Sequence, residues 1–506
     1  MILCPLNKNR TKETCIFSSR NLKTYKIIFL QKRIDIQRQK IQRGNPFIEL
    51  SHSCRINNGV NQLSLEEQNE FIKLYEAQLP KLVVTHFIPA SGSGSRMFDA
   101  LFDYLQNPHP FPATINFIEE FKTNLKEFAF YDLIPLEVKT SFENGKIDLT
   151  NLIRFLLFAK VQITGNEIAG FNFGEIPKGL IPFHKNKTEI LNAFQEHIIQ
   201  GISISGIKSN FHFTINEKFE KQISDSIQSV NNLTETHLSF SHQLKETNAI
   251  TFDEKLEPVK DESGELITRP AGHGAILSNL NKIDADIIFI RNIDNVQHSN
   301  KSSTSIQSRK TLTGILINLQ EIIFEILHDI EIKTDYEEKI LELNKKFDLQ
   351  IPKNKLSEAD FIFDLLNRPI RVCGMVKNEG QPGGGPFWVV DENGYERRQI
   401  VEKSQMSDNP FQFAEMIKST HFNPVELVCS FKNFKGDKFD LNDFKNDNHY
   451  FIVDKTHQGK PIKYIEETGL WNGGMEKWTT LFYEIESDCF SPVKTVLDLL
   501  KPLHRG

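Results

Sequence analysis

The sequence predicts an α/β protein with a mixed, mostly parallel sheet, extended by helical N-terminal and insert segments. Three observations lead there. Apolar, β-branched runs alternate with segments of helical period, the pattern of strands joined by crossover helices. Several of those runs, such as "LVVTHFIP" and "DIIFIRN", are apolar on successive residues, as strands buried on both faces require. The 506 residues, with 39% hydrophobic and 25% charged side chains, are ample for a large core and ordinary for a soluble globular chain.

Taken in order, the first 44 residues carry eleven Lys and Arg against two acidic residues. "YKIIFLQKR" is too short and too charged for a signal sequence. The expectation is a solvated basic helix from about 22 to 43 within an extension over 1–45. Strands are predicted at 82–89, 211–215, 237–241, 286–292, 371–376, 386–390 and 425–431. Helices are predicted at 97–106, 113–128, 149–160, 188–200, 275–281, 311–331 and 356–367. The polar Ser/Thr-rich stretch at 298–310 reads as a break, and the glycine run at 383–385 as a wide turn or a close backbone approach. These breaks divide the chain into 46–300, a helical insert at 301–367, and a mixed α/β portion at 368–506.

The net charge of -6 and a pI near 6.2 give no reason to expect nucleic acid or a membrane surface as partner. Six cysteines, far apart and without a C-x-x-C pair, argue against a disulfide framework or zinc knuckle and for reduced thiols in a cytoplasmic protein. The most apolar segment, from Ile315, is interrupted by Gln, Glu and Asp and reads as a core helix.

Three segments carry chemistry. In "VVTHFIPASGSGSRMFDALFDYL" a strand leaves through Ala90-Ser91-Gly92-Ser93-Gly94-Ser95 and enters a helix with Arg96 at the exit. A strand, a small-residue turn and a helix N-terminus form a phosphate-binding arrangement, and Arg96 adds a fixed cation. The dinucleotide fingerprint fails at Met97 and no Gly-Lys-Ser/Thr follows. The bland alternative is a flexible turn. In "FGEIPKGLIPFH", Pro177 and Pro182 bracket Lys178-Gly179, so the lysine sits on a stiff loop; an exposed loop lysine is the competing reading. In "TRPAGHGAILSNLNKIDADIIFIRNIDN", Asp294 stands just past the end of an apolar strand, where open α/β sheets bind ligands and where a carboxylate suits Mg²⁺ on a phosphate. A cap or turn residue is the alternative for Asp294. His273 has no second His or Cys at ligand spacing and is not read as a metal ligand. A phosphate loop, a placed lysine and a strand-end aspartate together are what phosphoryl or nucleotidyl transfer requires. Lys432, Lys435, Lys438 and Lys494 are further candidate cations, and Trp471 with Asn472 could stack on and hydrogen-bond a sugar ring.

"IPASGSGSRMF" resembles the Gly-rich loop of sugar-1-phosphate nucleotidyltransferases, "IPKGLIPF" resembles their lysine motif, and "RPAGHGAI…IIFIRNIDN" is similar to a run of the UDP-glucose pyrophosphorylase group. From about Leu22 onward, "RPIRVCGMVKNEGQPGGGPFWV", "QIVEKSQM" and "SPVKTVLDLL" resemble a bacterial family described as a domain of unknown function (DUF 4301). The resemblance implies the Rossmann-like nucleotide-diphospho-sugar transferase (GT-A type) α/β/α sandwich. It implies joining of a nucleoside triphosphate to a sugar-1-phosphate with release of pyrophosphate and with Mg²⁺ as cofactor. On it, Ser91, Gly92, Ser93 and Gly94 would cradle the nucleotide, Arg96 and Lys178 would act on the triphosphate, and Asp294 would bind Mg²⁺. Gln243 would read the base, Gly272 and His273 would lie near nucleoside or sugar, and Glu402 would approach the sugar with Trp471 and Asn472. Ala275 stands where the pyrophosphorylases carry aspartate. A glycosyltransferase of the same fold and a non-catalytic binder of nucleotide or sugar phosphate are the other classes.

Overall fold

The computed structural model describes residues 12–187, 189–230, 235–242, 248–269, 273–380, 383–407, 409–470 and 473–506. Its centre is a nine-stranded sheet. The strands are β1 (Arg55–Ile56), β2 (Gly59–Asn61), β3 (Val84–Pro89), β4 (Asn210–Ile215), β5 (His237–His242), β6 (Ile287–Ile290), β7 (Ile370–Met375), β8 (Glu426–Ser430) and β9 (Thr479–Glu484). Their order is β5-β4-β3-β6-β8-β7-β9-β2-β1. Every pairing is parallel except the two made by β8, which runs antiparallel to β6 and β7 in the middle of the sheet. The sheet is therefore mixed and mostly parallel, as the sequence predicts.

Both faces are covered, which is why the central strands carry no polar alternation. Along β6, Ile287 and Phe289 pack with the helix α1 (Ser303–Ile332), while Ile288 and Ile290 join a second cluster with Leu277 and Leu280 of the 273–280 helix. In α1 the buried Leu312, Ile315, Leu316, Leu319, Ile323, Ile326 and Leu327 recur at helical spacing on the face toward the sheet.

Four differences from the predicted elements have physical causes. The polar stretch read as a break forms the first turns of α1, because Ser305 turns its hydroxyl inward to Glu426 Oε1 at 2.9 Å. The helix expected from 188 begins at Ala193, after a hairpin of Pro182–Asn186 and Glu189–Asn192. Asn192 caps it, its side chain accepting from Gln195 N while Gln195 Oε1 accepts from Asn192 N. The strand expected at 386–390 lies in a separate sheet, with Gly385–Val390 between Leu50–Ser53 and Glu396–Val401. The basic helix runs over Lys12–Arg43 and docks rather than standing in solvent. Arg33 and Arg38 donate to the carbonyls of Asn248 and Leu256, Lys40 pairs with Glu467 at 2.7 Å, and Ile34 and Ile41 are buried. Cys54, Cys373, Cys429 and Cys489 are buried free thiols. Among the described residues no helix is long and apolar enough to cross a membrane.

Candidate functional site

The loop after β3 and the lysine loop are zipped together. Gly94 N donates to Ile176 O at 3.0 Å and Lys178 N to Gly92 O at 3.2 Å, a one-bridge ladder between Ser93 and Pro177. Gly94 is needed at that crossing, since a Cβ there would come within 2.8 Å of Ile181 and 3.0 Å of Phe173 O. Its amide is committed to the bridge, whereas the amides of Gly92 and Ser93 take no part in it. Gly92 and Ser93 are exposed and Ser91 half-buried; Ser93 Oγ lies 2.9 Å from Ser95 Oγ. Arg96 lies in a short turn, Ser95–Phe98, that leads into the Asp99–Gln106 helix, and it is exposed.

On the other side of the bridge, Pro177 and Gly179 set the position of Lys178. A Cβ on Gly179 would meet Phe194 at 2.6 Å and Ile293 at 2.9 Å. That close approach brings the lysine loop against the residue preceding Asp294. Lys178 Nζ reaches Asp294 Oδ2 at 3.0 Å, and both side chains are largely buried, at 14% and 13% exposure.

A second lysine meets the same oxygen. Lys494 Nζ lies 2.8 Å from Asp294 Oδ2. It is delivered by the C-terminal strap, which bonds along the loop after β6: Val493 N to Asp294 O at 2.9 Å and Ser491 N to Asn295 Oδ1 at 2.9 Å. Of the four candidate lysines the structure thus singles out Lys494. Lys432 pairs with Asp286, Lys435 with Glu331, and Lys438 bonds to the carbonyl of Asn281.

The electrostatics of this cluster are tightly coupled. Burial would raise the Asp294 carboxyl, but Lys178 and Lys494 outweigh it and hold its pKa below the usual carboxylate range. Burial lowers Lys178, Asp294 opposes that, and the charges of Lys494 and Arg96 lower it further. Arg96 is therefore near enough to act on Lys178. The result is a cationic cluster around one buried carboxylate, at the C-terminal ends of β3 and β6, where the ligand crevice of a mostly parallel sheet lies.

Beneath it lies a layer the sequence reading does not include. Arg291 Nη2 is 3.2 Å and Arg309 Nε 3.8 Å from Glu426 Oε1, all three almost fully buried. Arg291 also bonds to Gln200 and Gln297, and His197 Nε2 to Ile293 O at 3.2 Å. A readable signal exists: Arg291 and Glu426 are charges inside the apolar runs "IIFIRN" and "VELVCS", where only a paired charge is tolerated.

The remaining sequence-predicted residues fall elsewhere. Glu402 caps the turn at Lys403–Gln405 and accepts from Asn423 Nδ2 at 3.5 Å; burial raises its pKa against that bond, and Glu466 adds to the rise. Its hydrogen-bond partners are not those of Asp294. Gln243, Gly272, Trp471 and Asn472 lie outside the described residues, as does the His273 side chain, although His273 opens the 273–280 helix. Gly274 in that helix backs onto Glu467 and Thr468.

Asp294 is the one candidate metal ligand from the sequence, and among the described residues no group of three His, Cys, Asp or Glu side chains is placed to hold a metal ion. Both lysines bond to Oδ2, leaving Oδ1 as a donor. One carboxylate plus substrate phosphates is an ordinary donor set for Mg²⁺, so the residues fit that ion.

Fold and site together define an α/β protein with a small-residue loop and a lysine-aspartate-lysine cluster at its parallel strand ends. The chain belongs to the family described as Domain of unknown function (DUF4301), which it matches over residues 20–505. No curated protein matches it in sequence. Among solved structures it is similar to the uridine diphosphate N-acetylglucosamine pyrophosphorylase from Trypanosoma brucei, with 11% identity, 89% of this chain and 72% of that chain covered, and a TM-score of 0.48. It is also similar to a UDP-glucose pyrophosphorylase from Leishmania major in complex with UDP-glucose, with 10% identity, 97% and 78% covered, and a TM-score of 0.43.

Proposed function

We propose that the protein is a sugar-1-phosphate nucleotidyltransferase. The observation that carries this reading is the convergence of Lys178 and Lys494 on Asp294 beside the loop ending in Arg96. In the proposed reaction a phosphate oxygen of the sugar-1-phosphate attacks the α-phosphorus of a nucleoside triphosphate. The bond to the bridging oxygen breaks and pyrophosphate leaves, giving the nucleotide sugar. No covalent enzyme intermediate is needed; rate comes from positioning and charge.

Arg96 and Lys178 neutralise charge moving onto the α-phosphate and the leaving pyrophosphate, and the exposed amides of Gly92 and Ser93 face the phosphates. Lys494, half out in solvent, holds the incoming sugar phosphate. Asp294 keeps both lysines charged and aligned, and its free oxygen is where Mg²⁺ would bind; the ion would supply charge neutralisation and in-line orientation of the phosphates. The 46–300 portion would take the nucleotide, with Gln243, Gly272 and His273 toward base and sugar. The 368–506 portion would take the sugar, with Glu402, Trp471 and Asn472.

The test is pyrophosphate release by the full chain with Mg²⁺ across nucleoside triphosphates paired with sugar-1-phosphates. One pair is expected to give turnover, and Lys178→Met to lower it by about a thousandfold. Tight triphosphate binding without pyrophosphate from any pair would assign the protein to the non-catalytic binders instead.

A further inference from the structure

Two arginines are buried without a carboxylate partner among the described residues: Arg371, 2% exposed, and Arg398, 5% exposed. Arg371 donates from Nε to Thr480 Oγ1 at 2.8 Å and from Nη2 to Gln399 Oε1 at 3.3 Å. Arg398 donates from Nη2 to Phe347 O at 3.0 Å and lies 5.5 Å over the Trp388 ring, and its Nη1 makes no hydrogen bond. Burial lowers both guanidiniums from their usual pKa; the Asp348 carboxylate opposes this at Arg398, and no carboxylate is among the groups acting on Arg371. An unpaired buried cation is expensive, and a fold that keeps two of them close to a cavity is equipped for an anion.

Arg398, Gln399 and Thr480 line a cavity of about 150 Å³. Leu349, Ile351, Leu365 and Trp388 give it an apolar wall, and Arg368 and Lys477 add cations. Four carboxylates share the lining. Asp391 pairs with Arg397 at 3.3 Å, Glu396 bonds to Ser51, and Glu476 lies 2.9 Å from His449, although its buried Oε2 makes no hydrogen bond. Glu392 is exposed. Arg368 donates from Nε to the carbonyl of Asp364 at 2.6 Å, with the carboxylates of Asp391, Asp364 and Glu392 acting on it from nearby.

The cavity lies far from Asp294. Arg368 precedes β7 and Thr480 is near the start of β9, and β7 runs in the same direction as β6 because both are antiparallel to β8. The cavity is therefore at the N-terminal strand ends, and the lysine-aspartate cluster at the C-terminal ends.

We propose that this cavity is a second ligand site, taking a phosphomonoester on a planar apolar body, with the phosphate drawn to Arg368 and Arg398 and the body laid against Leu349, Ile351 and Trp388. A cavity of about 150 Å³ has room for little more than a benzene-sized ring, so the body is small. The proposal does not depend on the reaction proposed above.

The experiment is calorimetric titration of the full chain with phenyl phosphate, benzoate, inorganic phosphate and phenol. Phenyl phosphate is expected to bind at least about ten-fold more tightly than the other three. Arg368→Gln, a half-exposed change that leaves the fold intact, is expected to weaken it by about ten-fold or more, and Lys477→Gln by less. Benzoate binding as tightly as phenyl phosphate would reassign the site to carboxylates. Binding no tighter than that of inorganic phosphate, or binding indifferent to Arg368→Gln, would each overturn the proposal.

Discussion

At the scale of single residues, the three members of the lysine-aspartate cluster separate stability from function. Asp294 is the counter-charge of a largely buried lysine, so Asp294→Asn leaves Lys178 without a carboxylate and should cost about 3 kcal/mol of folding stability. Lys494 carries the same bond on a side chain 65% exposed, and Lys494→Met should cost less than about 1 kcal/mol. If the ammonium holds a substrate phosphate, the same change should lower pyrophosphate release by about a hundredfold. Urea unfolding and a turnover assay on the two variants check this. A Lys494→Met protein with full turnover would make that lysine a surface partner of Asp294 and nothing more.

Among elements, the C-terminal strap that delivers Lys494 is pinned by a buried chain of hydrogen bonds. Ser491 O can only accept, so His504 donates to it from Nε2 at 3.0 Å. A neutral His504 then accepts at Nδ1 from His184 Nε2 at 2.9 Å, and a neutral His184 accepts at Nδ1 from Glu196 at 2.8 Å. The chain closes only if Glu196 is protonated. Burial does push Glu196 up from the ordinary 4.5 to about 7, and both imidazoles down to about 3. For Glu196 the folded value is raised, so its stabilisation is complete below pH 4.5 and is lost as pH rises through about 7. The histidines work in the opposite sense: their contribution is present above 6.5 and lost as pH falls toward 3. Glu196→Gln keeps a donor to His184 and removes the carboxyl titration. It should gain on the parent protein between about pH 5 and about pH 8, by up to about 3 kcal/mol in denaturant melts. A constant difference at both pH values would mean that Glu196 is ionised in the folded chain.

The same strap shows where the sequence is legible and where it is not. Strands buried on both faces announce themselves as apolar runs, and β3, β4, β6, β7 and β8 are legible for that reason. β9, "TTLFYE", is shorter on β-branched apolar residues and gives no such signal, although it sits inside the sheet. Arg96, Lys178 and Asp294 stand at predictable places relative to strands and prolines. Lys494 does not: it is one of many lysines, and only the pairing of the 491–495 segment with the loop after β6 distinguishes it. Arg371 and Arg398, with no carboxylate partner among the described residues, carry no such signal.

Over the whole molecule, the sheet depends on one reversed strand. β8 joins the block of β3, β4, β5 and β6 to the block of β7, β9, β2 and β1, and Glu426, its first residue, lies against Arg291 just past the end of β6 and Arg309 from α1. Strand, strand and helix from three parts of the chain are thus tied through a carboxylate that is 1% exposed. Burial and the neighbouring Arg291 push Arg309 down to about 9, so the pair of cations is already strained by proximity and depends on Glu426. Glu426→Gln keeps the volume and removes the charge. It should cost about 3 to 5 kcal/mol, because two buried guanidiniums lose their counter-charge. Replacing all three groups at once, Glu426→Leu with Arg291→Met and Arg309→Met, should recover most of that loss, because apolar groups of similar size need no counter-charge. Because the ion cluster bridges the two blocks, the single variant should still unfold in one cooperative step at lower denaturant. Separate transitions for the two blocks would show instead that the sheet folds as two units and that this cluster only fastens them together.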